Sequence, residues 1–226
     1  MQKNEVISNE ESDVNDKRKE KLKKLFEYEE TSENGKIVLV NKKVKLVQLT
    51  DCKEDREIYK TVTADYNTFC MENIHGVIRN SNLDELFNEE ILHKNYEKFP
   101  LFACYNSRNE LIGTFGSRNA IVVKNGNKEI TLHELSGRLM KKYENSGIGS
   151  IADAVMGNYF TNNDQPFFFT GWSDKREYFM KVWNYVIKCY FLGSKQRYID
   201  KTQSVDIGNQ DFYCTVTFDG LFNQLS

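Results

Sequence analysis

The sequence predicts a mixed α/β protein of the α+β type, with a mostly antiparallel central sheet flanked by helices and a charged N-terminal helical extension. Three observations predict this class. Apolar residues recur at helical spacing in two segments between Asp51 and Lys94, and strand-like segments then follow one another up to Met140. A glycine turn next opens a helix that leads into an apolar strand. The 226 residues can bury an adequate core in one such domain.

Composition and charge exclude several classes of function. The formal net charge is −2, from 31 basic and 33 acidic side chains, so no global attraction to nucleic acid or to a membrane surface is expected. No window approaches the roughly 18 apolar residues of a spanning helix, and the N-terminus lacks the apolar run of a signal peptide. We therefore expect a cytoplasmic protein without a membrane segment.

Metal binding is not expected either. The five cysteines lie far apart without a Cys-x-x-Cys pair, and none of the three histidines has a second histidine three or four residues away.

Residues 1–35 form the charged N-terminal extension, and residues 36–226 form the folded domain. The centre of the extension, residues 17–26, has the composition of a helix. Two interpretations stay open for it: a solvated helix or disordered tail, and a docking segment for an acidic protein partner. Whether the protein is a dimer is likewise open.

The folded part begins with two short alternating segments, residues 37–40 and 44–49, which predict strands. Helical spacing then predicts a helix over residues 53–70. A second helix is predicted after Asn82, which forms a capping pair with Glu85.

A meander of strands comes next. Strands are predicted at residues 101–105, 111–115 and 120–123. Asn125 and Gly126 both tolerate positive φ, so they predict a hairpin that pairs the preceding strand antiparallel with residues 128–140.

The turn over residues 144–150 is the most informative stretch of the chain. It joins the strand that ends near Met140 to a helix that begins near Gly147. The first amides of a helix lack intrahelical partners, and the helix dipole adds partial positive charge, so a glycine turn at this place predicts a phosphate site. A cofactor with a pyrophosphate is the natural ligand.

The helix after the turn has one apolar face, formed by Ile148, Ile151, Ala152, Val155 and Tyr159, and an opposite face with Ser150, Asp153 and Asn158. Residues 165–172 are almost all apolar without alternation, which is typical of a strand buried on both faces and parallel to its neighbour. A further helix is predicted after Ser173 or Asp174. Residues 198–199 and 212–218 predict closing strands.

This order of elements resembles the GNAT superfamily of acyl-CoA-dependent N-acetyltransferases, from about Val44 to the end of the chain. The most specific match is the family's Arg/Gln-x-x-Gly-x-Gly/Ala turn, found here as Glu144-Asn145-Ser146-Gly147-Ile148-Gly149. Residues 46–50 leading into the first helix, residues 102–105 followed by 109–114, and a fourth strand ending just before the turn agree with it. The sequence departs from the family at Glu144, where Arg or Gln is usual, and lacks a Gly-Phe dipeptide near residues 183–185.

The resemblance implies acetyl-CoA as co-substrate, with its pyrophosphate on the backbone amides of the turn and its pantetheine arm along the end of the fourth strand. The implied cofactor contacts are Leu139, Met140, Glu144, Asn145, Ser146, Gly147, Ile148, Gly149 and Ser150. Lys141 or Lys142 could contact a phosphate, or both could simply be solvated.

The resemblance also implies two catalytic side chains. Glu134 on the fourth strand is the expected base, with a solvated strand glutamate as the alternative. Because His133 lies on the opposite face of the strand, only one of the two can point into the cleft. Tyr178 is the expected acid, with Tyr185 as a substitute.

The acceptor implied by the resemblance is an amine, bound by the helices between residues 51 and 94 and by the C-terminal segments. Acidic side chains there could attract it or simply face water: Asp65, Glu72, Asp84 and Glu85. Three alternatives remain: an inactive GNAT-like interaction module, transfer of another acyl or aminoacyl group, and a site for another phosphorylated ligand.

Overall fold

The computed structural model describes residues 17, 20–21, 23–73, 82–92, 100–125, 128–165, 167–172, 177, 190–194 and 210–214. Within these residues one sheet has nine strands: β1 Glu29–Glu33, β2 Lys36–Val40, β3 Val44–Gln48, β4 Leu101–Asn106, β5 Leu111–Asn125, β6 Lys128–Leu139, β7 Phe167–Trp172, β8 Tyr190–Ser194 and β9 Gln210–Cys214.

Helices cover both faces of this sheet. The longest are α1, Lys53–Asn73, and α3, Ile148–Asn162. Between them lies α2, Leu83–Phe87, which continues as a π-helical turn over Asn88–Leu92. A 3-10 turn, Lys141–Tyr143, separates β6 from α3.

The strand order is β1-β2-β3-β4-β5-β6-β7-β9-β8, and every described pair is antiparallel except β6 with β7. The predicted fold class, a mostly antiparallel sheet flanked by helices, is therefore confirmed. So is the prediction for the apolar strand, since β7 runs parallel to β6 and Phe167, Phe168 and Phe169 are buried. Burial on both faces removes the alternation that an exposed strand would show.

The helix predictions over residues 53–70 and after Asn82 are also confirmed. The side chain of Asn82 accepts hydrogen bonds from the backbone N–H groups of Asp84 and Glu85, at 3.2 and 3.3 Å. It thereby satisfies two amides that have no partner within α2.

The two strands predicted at residues 111–115 and 120–123 are one strand, β5. Its pairing with β6 shifts register between Ser117 and Asn119, so Arg118 is the extra residue of a β-bulge. A bulge admits one residue without ending the ladder, which is why the polar interruption in the sequence does not mark a turn. Gly116, with φ of 135°, lies just before the bulge.

The sheet begins before the boundary that the sequence analysis placed at residue 35. All five residues of β1 are exposed and polar, so this strand shows no apolar alternation, yet it pairs with β2 along its whole length. The side chain of Asn41 holds the preceding segment by donating to the carbonyls of Leu25 and Glu27, at 2.8 and 2.6 Å. The ring of Phe26 is buried.

The C-terminal predictions are met in part. The strand predicted at residues 212–218 overlaps β9, whereas β8 was not predicted. The strand predicted at residues 198–199 and most of the helix predicted after Ser173 lie outside the described residues.

Two hydrophobic clusters lie on opposite faces of the sheet. The larger one packs α3 onto the sheet, with Phe102, Phe115 and Phe160 among its buried side chains. The smaller one packs α1 and α2 onto the other face and includes Tyr59 and Phe87. The two faces are called here the α3 face and the α1 face.

Replacing Phe26 with alanine should lower the free energy of unfolding by about 3 kcal/mol, because a buried ring would be lost from the contact between the N-terminal segment and the domain. Urea unfolding measures this change. The control is Val40→Ala, since Val40 is 39% exposed and its truncation should cost no more than about 0.5 kcal/mol. Equal effects of the two substitutions would show that the segment is not part of the fold.

Candidate functional site

Strands β6 and β7 part soon after they meet. In the described residues they pair at two positions, His133 with Phe167 and Glu134 with Phe168, and from Phe168 onward β7 pairs with β9. Residues 135–139 of β6 keep their partners in β5, but no described strand lies on their other side. The sheet therefore has an opening between β6 and β7, and backbone groups of β6 line it.

Alternation along β6 decides which backbone groups face this opening. The N–H of Met140 donates to the carbonyl of Ile112 in β5, at 2.8 Å. Backbone groups of successive strand residues point to opposite sides, so the N–H and C=O groups of Leu139 and Gly137 point towards the opening. Of the two strand-end residues predicted to contact a cofactor, Leu139 thus offers its backbone N–H, whereas that of Met140 is already bonded.

The glycine turn lies at the end of the opening. Asn145 and Gly147 have φ of 57° and 75°, and Gly147 is the N-cap of α3. Gly147 has no side chain to cap the helix, and the N–H of Ile148 is 3.3 Å from Oγ of Ser146. No side chain in the described part of the chain caps this helix start, so the amides of Gly149 and Ser150 can receive an anion.

Charged side chains around the turn are of both signs. Lys141 and Lys142 are exposed, and Nζ of Lys142 lies 4.8 Å from the centre of the Tyr143 ring. Glu144 is partly buried. The carboxylate of Asp65 in α1 accepts a hydrogen bond from the backbone N–H of Lys141 at 2.7 Å, so α1 holds the start of the turn.

Glu134 lies on the α1 face of β6, together with Arg138, and is only 6% exposed. It is therefore not the solvated strand glutamate that was the alternative. His133 lies on the α3 face, where its Nδ1 is 3.1 Å from Oγ of Ser117. The two neighbours therefore lie on opposite faces of β6, so at most one of them can point into the cleft.

A buried ionic cluster, centred on Glu90, lies on the α1 face and was not predicted. Glu90 accepts hydrogen bonds from Arg118 at 3.0 Å, from Arg138 at 2.7 Å and from the hydroxyl of Tyr59 at 2.7 Å. Arg138 also donates to the hydroxyl of Thr63. The cluster joins the π-helical turn and α1 to the strand that leads into the opening.

The electrostatics of the cluster follow from two guanidinium groups sharing one carboxylate. Burial, together with the neighbouring Arg138, lowers the pKa of Arg118 to about 10. Burial opposes the charge of Arg138 as well, but Glu90 and Tyr59 together outweigh burial and raise the pKa of Arg138. Nε of Arg118 has no hydrogen-bond partner in the described residues.

A signal for this cluster exists in the sequence. Glu90 follows Leu86 and Phe87 at the helical spacing of the apolar face and precedes Ile91, so it occupies a position where a core residue is expected. An acidic residue at such a position needs a buried cationic partner. The identity of the partners depends on the tertiary fold.

The remaining candidates are one paired acidic residue and two tyrosines outside the described part. Asp84 is engaged by Lys60 at 2.8 Å and Arg56 at 3.4 Å, so it is paired within the helices. Tyr178 and Tyr185 lie outside the described residues.

In the described ranges, no three His, Cys, Asp or Glu side chains come together in a way that could hold a metal ion. None of the helices described there combines the length and apolar character needed to cross a membrane.

Comparison with solved structures identifies the fold. The chain superimposes on the ribosomal L7/L12 α-N-protein acetyltransferase RimL with a TM-score of 0.52 and 11% identity, over 84% of this chain and 100% of that one. RimL in complex with coenzyme A gives a TM-score of 0.52 and 11% identity, over 78% of this chain and 96% of that one. A putative GNAT-family acetyltransferase from Bordetella pertussis gives a TM-score of 0.53 and 8% identity, over 79% of this chain and 99% of that one.

No protein-family model and no curated protein sequence matches the chain. At such low identity the structural likeness establishes architecture: the protein has the GNAT fold, as its glycine turn and order of elements predicted.

Replacing Glu90 with glutamine should lower the free energy of unfolding by about 3–5 kcal/mol, because Arg118 and Arg138 would lose their shared buried carboxylate. Chemical unfolding provides the measurement. Glu89→Gln is the matched control, since Glu89 is the exposed neighbour in the same turn. A loss for Glu90→Gln no larger than that of the control would contradict this account of the cluster.

Proposed function

We propose that the protein is a GNAT-type N-acetyltransferase, which moves the acetyl group of acetyl-CoA to an amine of a small molecule or a protein by direct attack in a ternary complex. One observation carries this proposal: the edge of β6 that has no strand partner among the described residues runs directly into a glycine turn at the start of α3. A ligand with an amide-containing arm and a pyrophosphate fits both features at once. RimL, which shares the fold, has been seen in complex with coenzyme A.

The pyrophosphate would lie at the start of α3, where the amides of Gly149 and Ser150 and the helix dipole favour an anion. The positive φ of Gly147 turns the backbone so that these amides are accessible, and no heavy atom lies within 4 Å of where its side chain would be. We propose that residues 144–150 together surround the phosphates. Glu144 would have to point its carboxylate away from them.

The pantetheine arm would follow the edge of β6, with Leu139 and Gly137 supplying backbone hydrogen bonds. The N–H of Leu139, nearest to the turn, and that of Gly137, deeper in the opening, are candidates to polarise the thioester carbonyl. Donors held in place before the reaction stabilise the negative charge that develops on this oxygen. Met140 would contribute to the arm through its side chain alone, because its N–H is bonded to Ile112.

Acetyl transfer needs an attacking amine without its extra proton. We propose Glu134 as the base, acting directly or through water, because it lies on the α1 face at the point where β6 and β7 part. Tyr178 is proposed to protonate the leaving thiolate. Most of the rate would come from holding the amine and the thioester together, and no step requires a metal.

An amine attached to a protein or to a small molecule would enter from the α1 face. RimL is by name an acetyltransferase of a ribosomal protein, so an acceptor of that kind is within the reach of the fold. Use of acetyl-CoA implies a cytoplasmic location.

The competing proposal is an inactive module that binds CoA, or no cofactor, and acts through protein contacts. Glu144 favours it, because a carboxylate replaces the usual Arg or Gln at the phosphate turn. Titration calorimetry with acetyl-CoA, with CoA and ATP as controls, tests both proposals. Micromolar binding specific for the CoA ligands, followed by turnover with an amine, supports the enzyme. Binding without turnover on any amine supports the module. Absence of binding would overturn the proposal that the protein uses acetyl-CoA.

Replacing Gly147 with valine should abolish binding of acetyl-CoA, because a β-branched side chain would block the approach of the phosphates to the backbone. Gly35→Val is the matched control. Gly35 also has positive φ, 77° against 75°, and open space around it, but it lies in the β1–β2 hairpin. Both variants therefore carry a similar backbone strain. Equal acetyl-CoA affinity of the two variants in calorimetry would remove the turn from the cofactor site.

Replacing Glu134 with glutamine should lower kcat by about 10²–10⁴-fold, because the proton acceptor would be lost. The loss should be accompanied by disappearance of the acid limb of the pH–rate profile, while acetyl-CoA affinity stays unchanged. Release of the CoA thiol, with an acceptor found by screening amines and peptides, gives the rate. An unaltered pH–rate profile would assign Glu134 a structural role in the buried α1 face.

A further inference from the structure

The α3 face of the opening contains a carboxyl group that the proposed mechanism does not use. Asp153 was predicted to lie on the outer face of its helix, but it faces the sheet. A β-carbon built on Gly137 would lie 3.1 Å from Oδ1 of Asp153 and 2.4 Å from the ring of Phe115. Only a glycine at this position of β6 leaves room for the carboxyl and the ring together.

This contact places Asp153 beside the opening between β6 and β7. Gly137 belongs to the part of β6 that has no described strand partner on the β7 side, and its backbone N–H and C=O point that way. Asp153 is partly exposed. In the described residues the carboxyl has no hydrogen-bond partner. Its hydrogen-bonding capacity is therefore available to a ligand.

The surroundings of Asp153 disfavour its charged form. Burial raises the pKa of Asp153 to about 7, and attraction to Arg118 in β5 only partly opposes this. The pKa of the Cys104 thiol in β4 is raised mainly by burial, and the nearby Asp153 carboxylate raises it further. His133 lies on the same face of β6, four residues before Gly137, and α3 has no other acidic or basic residue. Near neutral pH the carboxyl is therefore protonated in part.

We infer that the carboxylic acid of Asp153 is a binding group for the cofactor arm, donating a hydrogen bond to an amide carbonyl of pantetheine in the opening between β6 and β7. A protonated carboxyl has one O–H to donate, which a carboxylate lacks. This inference rests on the proposed function. It adds a recognition residue on α3 to the backbone contacts of β6, and it makes cofactor affinity depend on pH.

The direction of the pH dependence follows from linkage. A ligand that binds the protonated form favours proton uptake, so affinity is full below the pKa of the free protein and falls as the pH rises through it. The affinity of the wild-type protein for CoA should therefore fall between about pH 6 and about pH 8.5 relative to a variant with a permanent donor.

Titration calorimetry of the full chain with CoA tests this, with Asp153→Asn as the variant, because an asparagine amide donates at every pH. The Kd of the wild-type protein, divided by that of Asp153→Asn, should rise about five- to tenfold over the range from about pH 6 to about pH 8.5. Titration of the CoA phosphates affects both proteins equally and cancels in this ratio. Asp164→Asn, at the exposed turn after α3, should behave as wild type.

A second measurement needs no variant. Binding of CoA to the wild-type protein at about pH 7.5, compared in two buffers of different ionisation enthalpy, should show net proton uptake. A constant or falling Kd ratio, or no proton uptake, would overturn the role of Asp153 while leaving the proposed function intact. Absence of CoA binding by every protein at every pH would overturn the proposed function and this inference together.

Discussion

The architecture depends on one constraint, the early parting of β6 from β7. A strand inside a sheet normally satisfies its backbone groups on both sides, but within the described part of the chain residues 135–139 have strand partners on the β5 side alone. Two helices hold this geometry, α3 from one face and α1 from the other. Gly137 and Gly149 allow α3 to approach closely, since a β-carbon on Gly149 would lie 3.3 Å from Leu139. The edge of β6 over residues 135–139 and the glycine turn thus form one continuous row of polar backbone groups.

The Glu90 cluster holds this row of backbone groups in place from the α1 face. It connects β5 at its bulge, β6 just before its end, and the helices of the α1 face, so the surface on which an acceptor would bind is coupled to the strand that would hold the thioester. Displacing any member of such a buried cluster would leave another without its partner, which is strongly destabilising. Asp65 makes a similar link to the turn.

Local signals predicted much of this structure. Helical spacing, the Asn82 cap, the strand meander and the glycine turn each depend on neighbouring residues, and each is present. The features that were not predicted depend on contacts between residues that are distant in the sequence. Strand β1 is entirely polar because it lies at the edge, and the bulge at Arg118 and the inward side chain of Asp153 are decided by what packs against them. In the site, the turn and the position of Glu134 were accessible from sequence, whereas the bonded N–H of Met140 and the Glu90 cluster were not.

The composition of β1 has a consequence for self-association. In the described sheet β1 is the terminal strand, and its outer edge presents free backbone groups to any extended chain. Three of its five residues are glutamates, and within the described part of the chain Glu33 alone forms an ion pair, with Lys45. Two copies of the protein joined edge to edge would bring like charges into register across the junction, which is unfavourable. Strand β1 therefore adds one strand to the sheet and disfavours pairing with a strand of a second copy. Contacts between copies would have to use other surfaces.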